Sequence, residues 1–385
     1  MSTLKVNKIE NTSTTDGGIE IDSDGHVQFD DIQLPTTGSL SNRNLIINGD
    51  MRIAQRGAGP VTNTTDGEYL LDRFRGYAST NNTYSIDHSQ STDVPSGQGF
   101  KYSYKYEVSA NAAATPATGY VVIGQRIEGY NTDQLHYGTA NAKTVTASFW
   151  VKSSEAGTYT FTIRNGSFDF CRTTEFSIQN DDTWEFIDIT IPGPTSGTWS
   201  DENNTGLEVL IAIDVGSNFA NTLDTWDSNN LFGSSGATNT WSDTLNNEFY
   251  VTGLQLEVGE KATPFEHRSY VDELARCQRY FLVLGNKTSD PLCTAAYYQN
   301  SRAFGVVYFP TTMRTDPTMD SGNGTNYYKI LRSGGSEDFD NLLTQESSQN
   351  TFTIETQNAL SGTQGVAGWM RINSDDSFVH FDAEL

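Results

Sequence analysis

The sequence predicts an all-β fold of the sandwich or jelly-roll kind, interrupted by one helix. Short segments rich in β-branched and aromatic residues recur along the chain, each bounded by Gly, Asn, Asp or Pro. Between these segments the central part of the chain has no helical apolar period, which favours a sandwich or jelly roll. Aromatic residues make up 11% of the 385 residues and hydrophobic residues 36%. This composition is not typical of disorder and suits several thin cores better than one thick core.

Residues 1–43 are the first predicted element, a short β segment. Apolar and polar residues alternate around two turn signals, Asp-Gly-Gly at 16–18 and Asp-Gly at 24–25, which is typical of tight hairpins. The segment has too few apolar groups to fold alone, so we expect copies of the chain to bury these groups by self-association. The residues expected at that contact are Leu4, Val6, Ile19, Ile21 and Phe29. Residues 34–39, from Leu-Pro to Gly-Ser, then predict a linker.

Residues 44–266 predict the central jelly-roll β-sandwich. Its clearest strand signals are residues 145–151, 158–163, 186–191 and 207–213.

The two ends of this central domain also have strand and turn signals. The apolar run Leu45, Ile46, Ile47 predicts an opening strand, and Asn-Gly-Asp at 48–50 predicts a turn with Gly49 at positive φ. Residues 251–256 predict the closing strand.

Residues 267–281 predict a helix that links two β domains. Its apolar residues recur at helical spacing, and Ser269 with Asp272 fits an N-terminal capping arrangement. The apolar residues are Val271, Leu274, Cys277 and Phe281. Residues 282–385 predict a smaller C-terminal β-sandwich domain, with strands at 303–309, 351–354, 368–372 and 378–381 and a Gly/Ser-rich loop at 333–336.

The charge of the chain excludes some partners. The formal net charge is −24, and no Lys or Arg occurs between Arg172 and Lys261. Nucleic acid is therefore not an expected partner, because phosphate binding relies on Lys and Arg. The carboxylates of this stretch are compatible with a solvated surface or with divalent cation binding, and the sequence leaves both interpretations open.

The cysteines and the N-terminus indicate in which cellular compartment the protein is made. Cys171, Cys277 and Cys293 are odd in number and lack CxxC spacing, so neither a disulfide framework nor a zinc site is expected. No signal-peptide core and no apolar run of membrane-spanning length is present, so we expect no membrane insertion. We therefore expect synthesis in a reducing cytoplasm and, if the protein acts outside a cell, release by a route such as lysis.

Catalytic signatures are missing from the sequence. It has no Gly-x-Ser-x-Gly elbow, no phosphate-binding Gly-rich loop and no His-Glu-x-x-His. The expected function is therefore not enzymatic. A glycosidase pair needs only two carboxylates at a suitable separation, so a glycan depolymerase stays open as an alternative.

Two phrases that bracket the central domain carry a family resemblance. The first is RNLIINGDMRIAQRG at 43–57 with LDRF at 71–74, and the second is FYVTGLQLEVG at 249–259 with ATPFE at 262–266. Together they resemble phage tail-fibre proteins whose central region is similar to jelly-roll carbohydrate-binding modules. In that family the opening and closing strands lie near each other.

Three further phrases extend the resemblance. Residues 273–281 and 309–318 resemble the family's continuation into a C-terminal domain, and residues 4–11 through Leu34-Pro35 resemble the start of fibres in phages of marine bacteria. The resemblance implies a tail-fibre adhesin of the virion. Together with the apolar-poor N-terminal segment, it leads us to expect a homotrimer, with three copies packed around an axis. Residues 1–40 would join a tail or adaptor protein, and the distal domains would contact a host surface glycan or protein. A capsid-decorating or other appendage protein stays open.

The resemblance also suggests a structural calcium ion. Related sugar-binding modules often hold one where their terminal strands meet, so Asp50 and Glu257 are the candidate ligands. The plainer interpretation is that both phrases supply core and turn residues only.

Aromatic residues in polar stretches are the candidate ligand contacts. Flat aromatic faces bury apolar area against sugar rings, and such residues also serve to cover the ends of a sandwich. The candidates are Trp199, Trp226, Trp241, Tyr327 and Tyr328. Loops of the C-terminal domain, such as residues 320–328, are also rich in Gly, Ser, Asn and Tyr, so either domain is a candidate for receptor contact.

Overall fold

The computed structural model describes residues 41–62, 66–80, 83–238, 240–356 and 360–385, and the backbone alone of 8–10, 18–21, 27–29 and 32–34. Within these residues the fold is all-β with a single α-helix, as predicted. The chain divides into two compact units, Met1–Arg268 and Ser269–Leu385. In the described part of the chain no helix has the length and apolar character needed to cross a membrane.

The N-terminal segment forms an antiparallel meander. Its strands β1 (Lys8–Glu10), β2 (Gly18–Ile21), β3 (Val27–Phe29) and β4 (Ile32–Leu34) pair in chain order. The Asp-Gly signals therefore do separate paired strands. Leu4, Val6 and residues 35–39 of the predicted linker lie outside the described residues, and the homotrimer stays a prediction.

The central domain is a sandwich of two antiparallel sheets. Its strands are β5 (Val61–Thr62), β6 (Glu68–Tyr69), β7 (Arg75–Ser79), β8 (Ser85–Ser91), β9 (Ser103–Ala110), β10 (Tyr120–Glu128), β11 (Val145–Ser153), β12 (Gly157–Asn165), β13 (Cys171–Ile178), β14 (Glu185–Ile191), β15 (Thr205–Val215) and β16 (Glu248–Val258). Sheet A has the order β14-β11-β16-β9-β8-β5, and sheet B has the order β13-β12-β15-β10-β7-β6. Short 3₁₀ helices lie at Gly129–Asn131, Asp133–Leu135, Ser217–Phe219 and Trp241–Asp243.

The core lies between these two sheets, because alternate residues of each strand point inward. In β11 the inward set is Val145, Ala147, Phe149 and Val151, all fully buried. Across the layer the ring of Phe149 stacks on Phe161 of β12 with centroids 6.0 Å apart. The predicted strands at 145–151 and 158–163 are thus confirmed, and their alternation fixes which side chains remain on the outer faces.

The opening apolar run does not form the predicted strand. Residues 44–47 have no strand assignment, although Leu45 N donates to Leu256 O of β16 at 2.9 Å. The Asn44 side chain bonds to the next backbone groups of β16, in place of backbone groups of the opening run. Its Oδ1 accepts from Leu256 N at 3.0 Å, and its Nδ2 donates to Leu254 O at 3.1 Å. The opening and closing phrases therefore lie side by side, held by a carboxamide as much as by backbone pairing.

The turn after this run also differs from the prediction. Positive φ falls on Asn48 (62°) and Met51 (59°), whereas Gly49 is not among the positive-φ residues. Asn tolerates the left-handed region because its side chain bonds nearby backbone. Here the Asn48 carboxamide bonds both N and O of Ile53, each at 2.8 Å.

The C-terminal unit begins with helix α1 (Tyr270–Gln278). Asp272 N donates to the Ser269 side chain at 3.2 Å, which confirms the predicted cap. Val271 is 73% exposed rather than buried, because the buried stripe of this short helix runs through Glu273 and Cys277.

The helix is grouped with the second compact unit, and its role as a link between two β domains stays a prediction. Just after it, Arg279 O accepts from Arg314 N and Tyr280 O accepts from Ala383 N, both at 2.8 Å.

The strands of this unit are β17 (Phe281–Gly285), β18 (Pro291–Gln299), β19 (Arg302–Tyr308), β20 (Thr318–Ser321), β21 (Tyr328–Arg332), β22 (Gly335–Phe339), β23 (Leu342–Ser347), β24 (Thr351–Thr356), β25 (Ala367–Ile372) and β26 (Val379–Asp382). Sheet C has the order β22-β21-β25-β18-β19-β24-β23, and sheet D has the order β17-β26-β20. A second core of aliphatic and aromatic side chains fills this unit. Within the predicted Gly/Ser-rich loop at 333–336, only Ser333 and Gly334 form a tight turn, and Gly335 and Ser336 already belong to β22.

Candidate functional site

The outer face of sheet A displays aromatic side chains that the strand alternation turns away from the core. Trp150 lies on β11 between the inward residues Phe149 and Val151, so its indole must point outward. In the register of the sheet Trp150 is opposite Phe186 of β14, and the two ring centroids are 5.4 Å apart. Phe186 remains 47% exposed. The pair forms an apolar surface that faces solvent.

A β-bulge in β16 shapes the space beside this pair. The register of β11 against β16 shifts between Ser148 and Trp150, and Gly253 in the bulge adopts φ +65°. A Cβ at Gly253 would lie 2.5 Å from Cζ of Phe100. Glycine is therefore needed both for the backbone angle and for the approach of the Phe100 ring.

Three rings close the opposite wall. Phe100, Phe265 and His267 contact one another with centroid separations of 5.1 Å for Phe100–Phe265, 5.5 Å for Phe100–His267 and 4.9 Å for Phe265–His267. Between this wall and the Trp150–Phe186 pair lies a cleft of about 540 Å³. That volume is within the usual range of small-ligand sites. We call it the aromatic cleft; its lining is Gln98, Phe100, Ser148, Trp150, Phe186, Gly253, Ala262, Thr263, Pro264, Phe265 and His267.

A charged network continues along the same outer face. Asp93 accepts from Lys152 Nζ at 2.5 Å and from Trp184 Nε1 at 2.9 Å, and the Lys152 ammonium lies 4.4 Å from the centroid of Tyr250. Burial alone would raise the pKa of Asp93, but the hydrogen bonds from Lys152 and Trp184 outweigh it and the pKa is lowered. Asp93, Lys152 and Trp184 are therefore held in place by their mutual hydrogen bonds.

Lys105 extends this network on β9. Its Nζ lies 2.7 Å from Glu107 Oε2 and 2.5 Å from Glu248 Oε1. Partial burial opposes the charged form, yet the two carboxylates dominate and raise the pKa of Lys105. Positively and negatively charged side chains thus alternate next to the aromatic surface.

The aromatic cleft combines apolar ring faces with neutral polar side chains. Ring faces offer apolar contact area, while Gln98, Ser148 and Thr263 offer amide and hydroxyl groups that donate and accept hydrogen bonds. None of the described residues lining it is Asp or Glu. The two-carboxylate chemistry of glycoside hydrolysis therefore has no counterpart in this lining.

Two of the aromatic residues predicted as ligand contacts are packed together. Trp199 and Trp226 meet edge to face with centroids 5.7 Å apart, and Trp226 also stacks on Phe170 at 5.8 Å. Their indole nitrogens donate to Ser196 O at 3.1 Å and to Pro192 O at 2.8 Å. Both side chains are half-buried, so they cover part of the sandwich, and a ligand role for their exposed edges stays a prediction.

Two other predicted contacts are buried. Trp241 is 0% exposed, within the central core, and its Nε1 donates to Glu248 O at 3.3 Å. Tyr328 is also 0% exposed, and its hydroxyl donates to Gly322 O at 2.8 Å. The expectation of exposed stacking faces is wrong for both, because each polar tip is satisfied by backbone inside its unit. Tyr327 is half-buried.

The candidate calcium ligands lie at the junction of the opening and closing phrases. Both oxygens of Glu257 already accept protein hydrogen bonds, from Thr263 N at 2.8 Å, Gln255 Nε2 at 2.8 Å and Thr263 Oγ1 at 2.7 Å. Asp50 pairs with Arg52.

No group of three or more His, Cys, Asp or Glu side chains placed to hold a metal occurs in the described residues. Side chains alone therefore do not fit a calcium cage here, and calcium binding at Asp50 or Glu257 stays a prediction.

The residues of the aromatic cleft were missed at the level of sequence. Trp150 and Phe186 stand inside predicted strands, where a large apolar side chain is read as core. The available signal was their phase, since Trp150 alternates with the apolar set Val145, Ala147, Phe149 and Val151.

The similarity of this chain to known proteins is found among solved structures. No family model matches the chain, and no curated protein matches it. The enzymatically active domain of tailspike protein 4 from bacteriophage CBA120 is 11% identical with a TM-score of 0.30, and the match covers 56% of this chain and 21% of that chain. The chain thus spans about a fifth of the length of that tailspike structure.

Carbohydrate-binding modules also match. TmCBM61, solved with β-1,4-galactotriose, is 9% identical with a TM-score of 0.28, and the match covers 56% of this chain and 99% of that chain. The tandem CBM22-1–CBM22-2 modules of Paenibacillus barcinonensis Xyn10C are 10% identical with a TM-score of 0.28, and the match covers 90% of this chain and 97% of that chain.

Proposed function

We propose that this chain is a non-enzymatic adhesin that binds a surface glycan through the aromatic cleft of its central unit. The observation that carries the proposal is the Trp150–Phe186 pair, which leaves apolar ring area exposed at the mouth of a 540 Å³ cleft. Exposed aromatic surface costs free energy in water unless a ligand covers it. Sugar rings have apolar C–H faces and polar rims, and the cleft pairs ring faces with amide and hydroxyl groups in the same way.

Binding rather than cleavage is favoured by the composition of the cleft. Hydrolysis of a glycosidic bond needs an acid and a second carboxylate on opposite sides of the bond. The lining offers Gln98, Ser148, Thr263 and His267 as polar side chains, none of which is a carboxylic acid.

We place the adhesin in a virion appendage, as the sequence resemblance to phage tail fibres implies. In that interpretation residues 1–40 join a tail or adaptor protein, and the chain is synthesised in the host cytoplasm. A capsid-decorating or other appendage protein of the same virion is the alternative. Labelling the protein in intact particles and locating the label by electron microscopy distinguishes the two positions.

A homotrimer is part of this proposal, and the C-terminal unit supports it. Five outward side chains of sheet C are large, apolar and exposed, and we call this group the apolar face of sheet C. Tyr308 is 77% exposed and Trp369 50%. The full set is Tyr298, Val306, Tyr308, Leu343 and Trp369. Exposed apolar area of this kind marks protein interfaces, and a second copy of the chain is the occupant that a fibre would supply.

The experiment that tests the proposal is a binding screen. Full-length protein is applied to a panel of immobilised neutral glycans, namely β-glucans, β-galactans, xylans and mannans, and each glycan is also assayed for released reducing ends. We expect binding to at least one class without release. Release of sugar would support the depolymerase alternative, and binding to none would contradict the proposal.

A further inference from the structure

A second pocket lies on sheet B, on the face of the sandwich opposite to sheet A. It encloses about 260 Å³, which is smaller than the usual site of a drug-sized ligand. Its floor is the outer surface of β7, β10, β12 and β15, and its walls come from the loops around Phe168, Phe219 and Phe232. We call it the arginine pocket; its polar lining is Asp66, Arg75, Tyr77, Tyr120, Arg126, Arg164 and Asn230.

Three guanidinium groups converge here in a chain whose net charge is −24. Beneath them lies Glu208, whose side chain is fully buried. Arg164 Nε donates to Glu208 Oε2 at 2.6 Å, and Arg126 Nε donates to Glu208 Oε1 at 3.3 Å. Tyr77 OH also donates to Glu208. Glu208 is thus shared by two arginines, and the lining together with Glu208 has three guanidinium groups against two carboxylates, Glu208 and Asp66.

Arg126 and Arg164 are held in place by further contacts besides their ion pairs with Glu208. The Phe168 ring lies 4.7 Å from the Arg126 guanidinium and 4.6 Å from that of Arg164. Arg164 NH1 also donates to Asn230 Oδ1 at 2.5 Å. Stacking on a ring and bonding at the edge hold the guanidinium planes in one orientation, so little conformational entropy remains to be lost on binding.

Arg75 is the donor that faces solvent. Its Nε donates to Gly67 O at 3.1 Å, and its guanidinium lies 5.3 Å from the Tyr69 ring and 4.9 Å from the Tyr77 ring. In the described part of the chain no hydrogen bond from its terminal nitrogens to protein accompanies these contacts, and neither atom is buried. A planar pair of N–H donors is therefore presented beside apolar ring walls, the geometry that suits a carboxylate or sulfate group.

We infer that the arginine pocket binds a single acidic sugar residue, a ring that has a carboxylate or a sulfate ester. The anionic group is recognised by Arg75 and by the field of Arg126 and Arg164. The sugar ring lies against the wall of Phe168, Phe219 and Phe232. Asp66 at the rim accepts from Tyr120 OH at 3.1 Å and is the one exposed carboxylate of the lining, so it opposes the ligand's charge.

The test uses the full-length protein and soluble monosaccharides, with affinities measured by calorimetry or saturation-transfer NMR. Galacturonic acid and galactose 6-sulfate are the acidic probes, galactose is the neutral reference and sodium sulfate is the bare anion. We expect at least one acidic sugar to bind about ten-fold more tightly than galactose, with affinity falling as salt rises. Which of the two binds identifies the anion. Equal binding of galactose, or sulfate alone competing as well as its sugar ester, would overturn the inference.

Two variants of opposite sign sharpen the test. Arg75→Gln should abolish the preference for the acidic sugar, whereas Asp66→Asn, at an exposed position, should tighten acidic binding several-fold. Lys101→Gln removes one positive charge at another exposed site and should change neither. Unchanged acidic binding in a folded Arg75→Gln protein, or no gain in Asp66→Asn, would contradict the assignment. Trp150→Ala is expected to leave acidic binding intact, so this inference and the proposed function fail independently.

Discussion

Gly49 and Leu254 lie against each other where the two ends of the central unit meet. Leu254 N donates to Gly49 O at 2.9 Å, and the position of a Cβ at Gly49 is already occupied by Leu254 O. Leu254 follows the bulge residue Gly253, whose neighbour Phe100 forms a wall of the aromatic cleft. The contact thus ties the opening of the domain to the strand that shapes the site.

Gly49→Ala should destabilise the central unit. The new methyl group must displace backbone, so we expect a loss of about 1–3 kcal/mol in the free energy of unfolding, measured by urea denaturation. Gly97→Ala measures backbone strain alone, because Gly97 has φ +78° with no atom close to its Cβ position, whereas Gly49 has no positive φ. An unchanged free energy of unfolding in Gly49→Ala would show that the close approach is not what requires glycine.

The turn that contains Gly49 shows which features of the fold are predictable from the sequence. A turn at 48–50 was predictable from Asn-Gly-Asp, but which residue takes positive φ depends on Asn48 bonding Ile53 and on β16 passing over Gly49. Strands such as β11 and β15 were predictable because alternation and bulky residues are local signals. The packing of the opening phrase (43–57) against the closing phrase (249–259) was not predictable in this way. It depends on contacts between residues more than two hundred positions apart, such as Asn44 and Leu256.

The aromatic cleft was harder to predict for a related reason. The alternation of residues in β11 predicts that Trp150 points away from the core. Whether its ring is then exposed to solvent depends on which strands lie beside β11, and the sequence does not show that. Trp241 gives the opposite case. It stands in a polar stretch that suggests exposure, and the surrounding strands bury it completely. Polarity of sequence neighbours is thus a poor guide to exposure when the covering groups are distant in the chain.

His88 should make stability depend on pH. It is buried with Nδ1 2.7 Å from Tyr104 OH, and burial lowers its pKa from 6.5 to about 4. Because the unfolded chain takes up the proton first, the free energy of unfolding should fall as pH drops from 6.5 to 4, by up to about 3 kcal/mol. His88→Gln should flatten this part of the profile in a pH series of melting curves, and His267→Gln, at an exposed position, should not. An unchanged slope in His88→Gln would refute this assignment.

Asp214 should give stability a pH dependence opposite to that of His88. Burial raises its pKa, and its Oδ1 lacks a hydrogen-bond partner in the described part of the chain while Oδ2 accepts from Ser242 N at 2.9 Å. The stability linked to this group is present at acid pH and is lost as pH rises through the raised pKa. Asp214→Asn should therefore raise the melting temperature at pH near 7 by about 2–4 °C. The gain should vanish in acid, and Asp201→Asn, at an exposed position, should give none.

Self-association should depend on the apolar face of sheet C. We expect light scattering of the full-length protein to give three times the 42.4 kDa chain mass. Replacing Val306 and Tyr308 by Lys places charge on that face and should lower the mass, while Leu245→Lys, which changes a 50% exposed residue of the central unit, should not. A monomeric mass for the unmodified protein at micromolar concentration would contradict the trimer.

The most direct measurement of the central claim is a calorimetric titration of full-length protein with an oligosaccharide of the neutral glycan that binds in the screen. Trp150→Ala and Phe186→Ala should each weaken binding at least ten-fold, or about 1.4 kcal/mol, with melting temperatures close to that of the unmodified protein. Tyr130→Ala removes a ring that is 59% exposed on the same unit but outside the cleft, and should leave the affinity unchanged. Unchanged affinity in Trp150→Ala and Phe186→Ala would contradict the account and move the glycan site elsewhere.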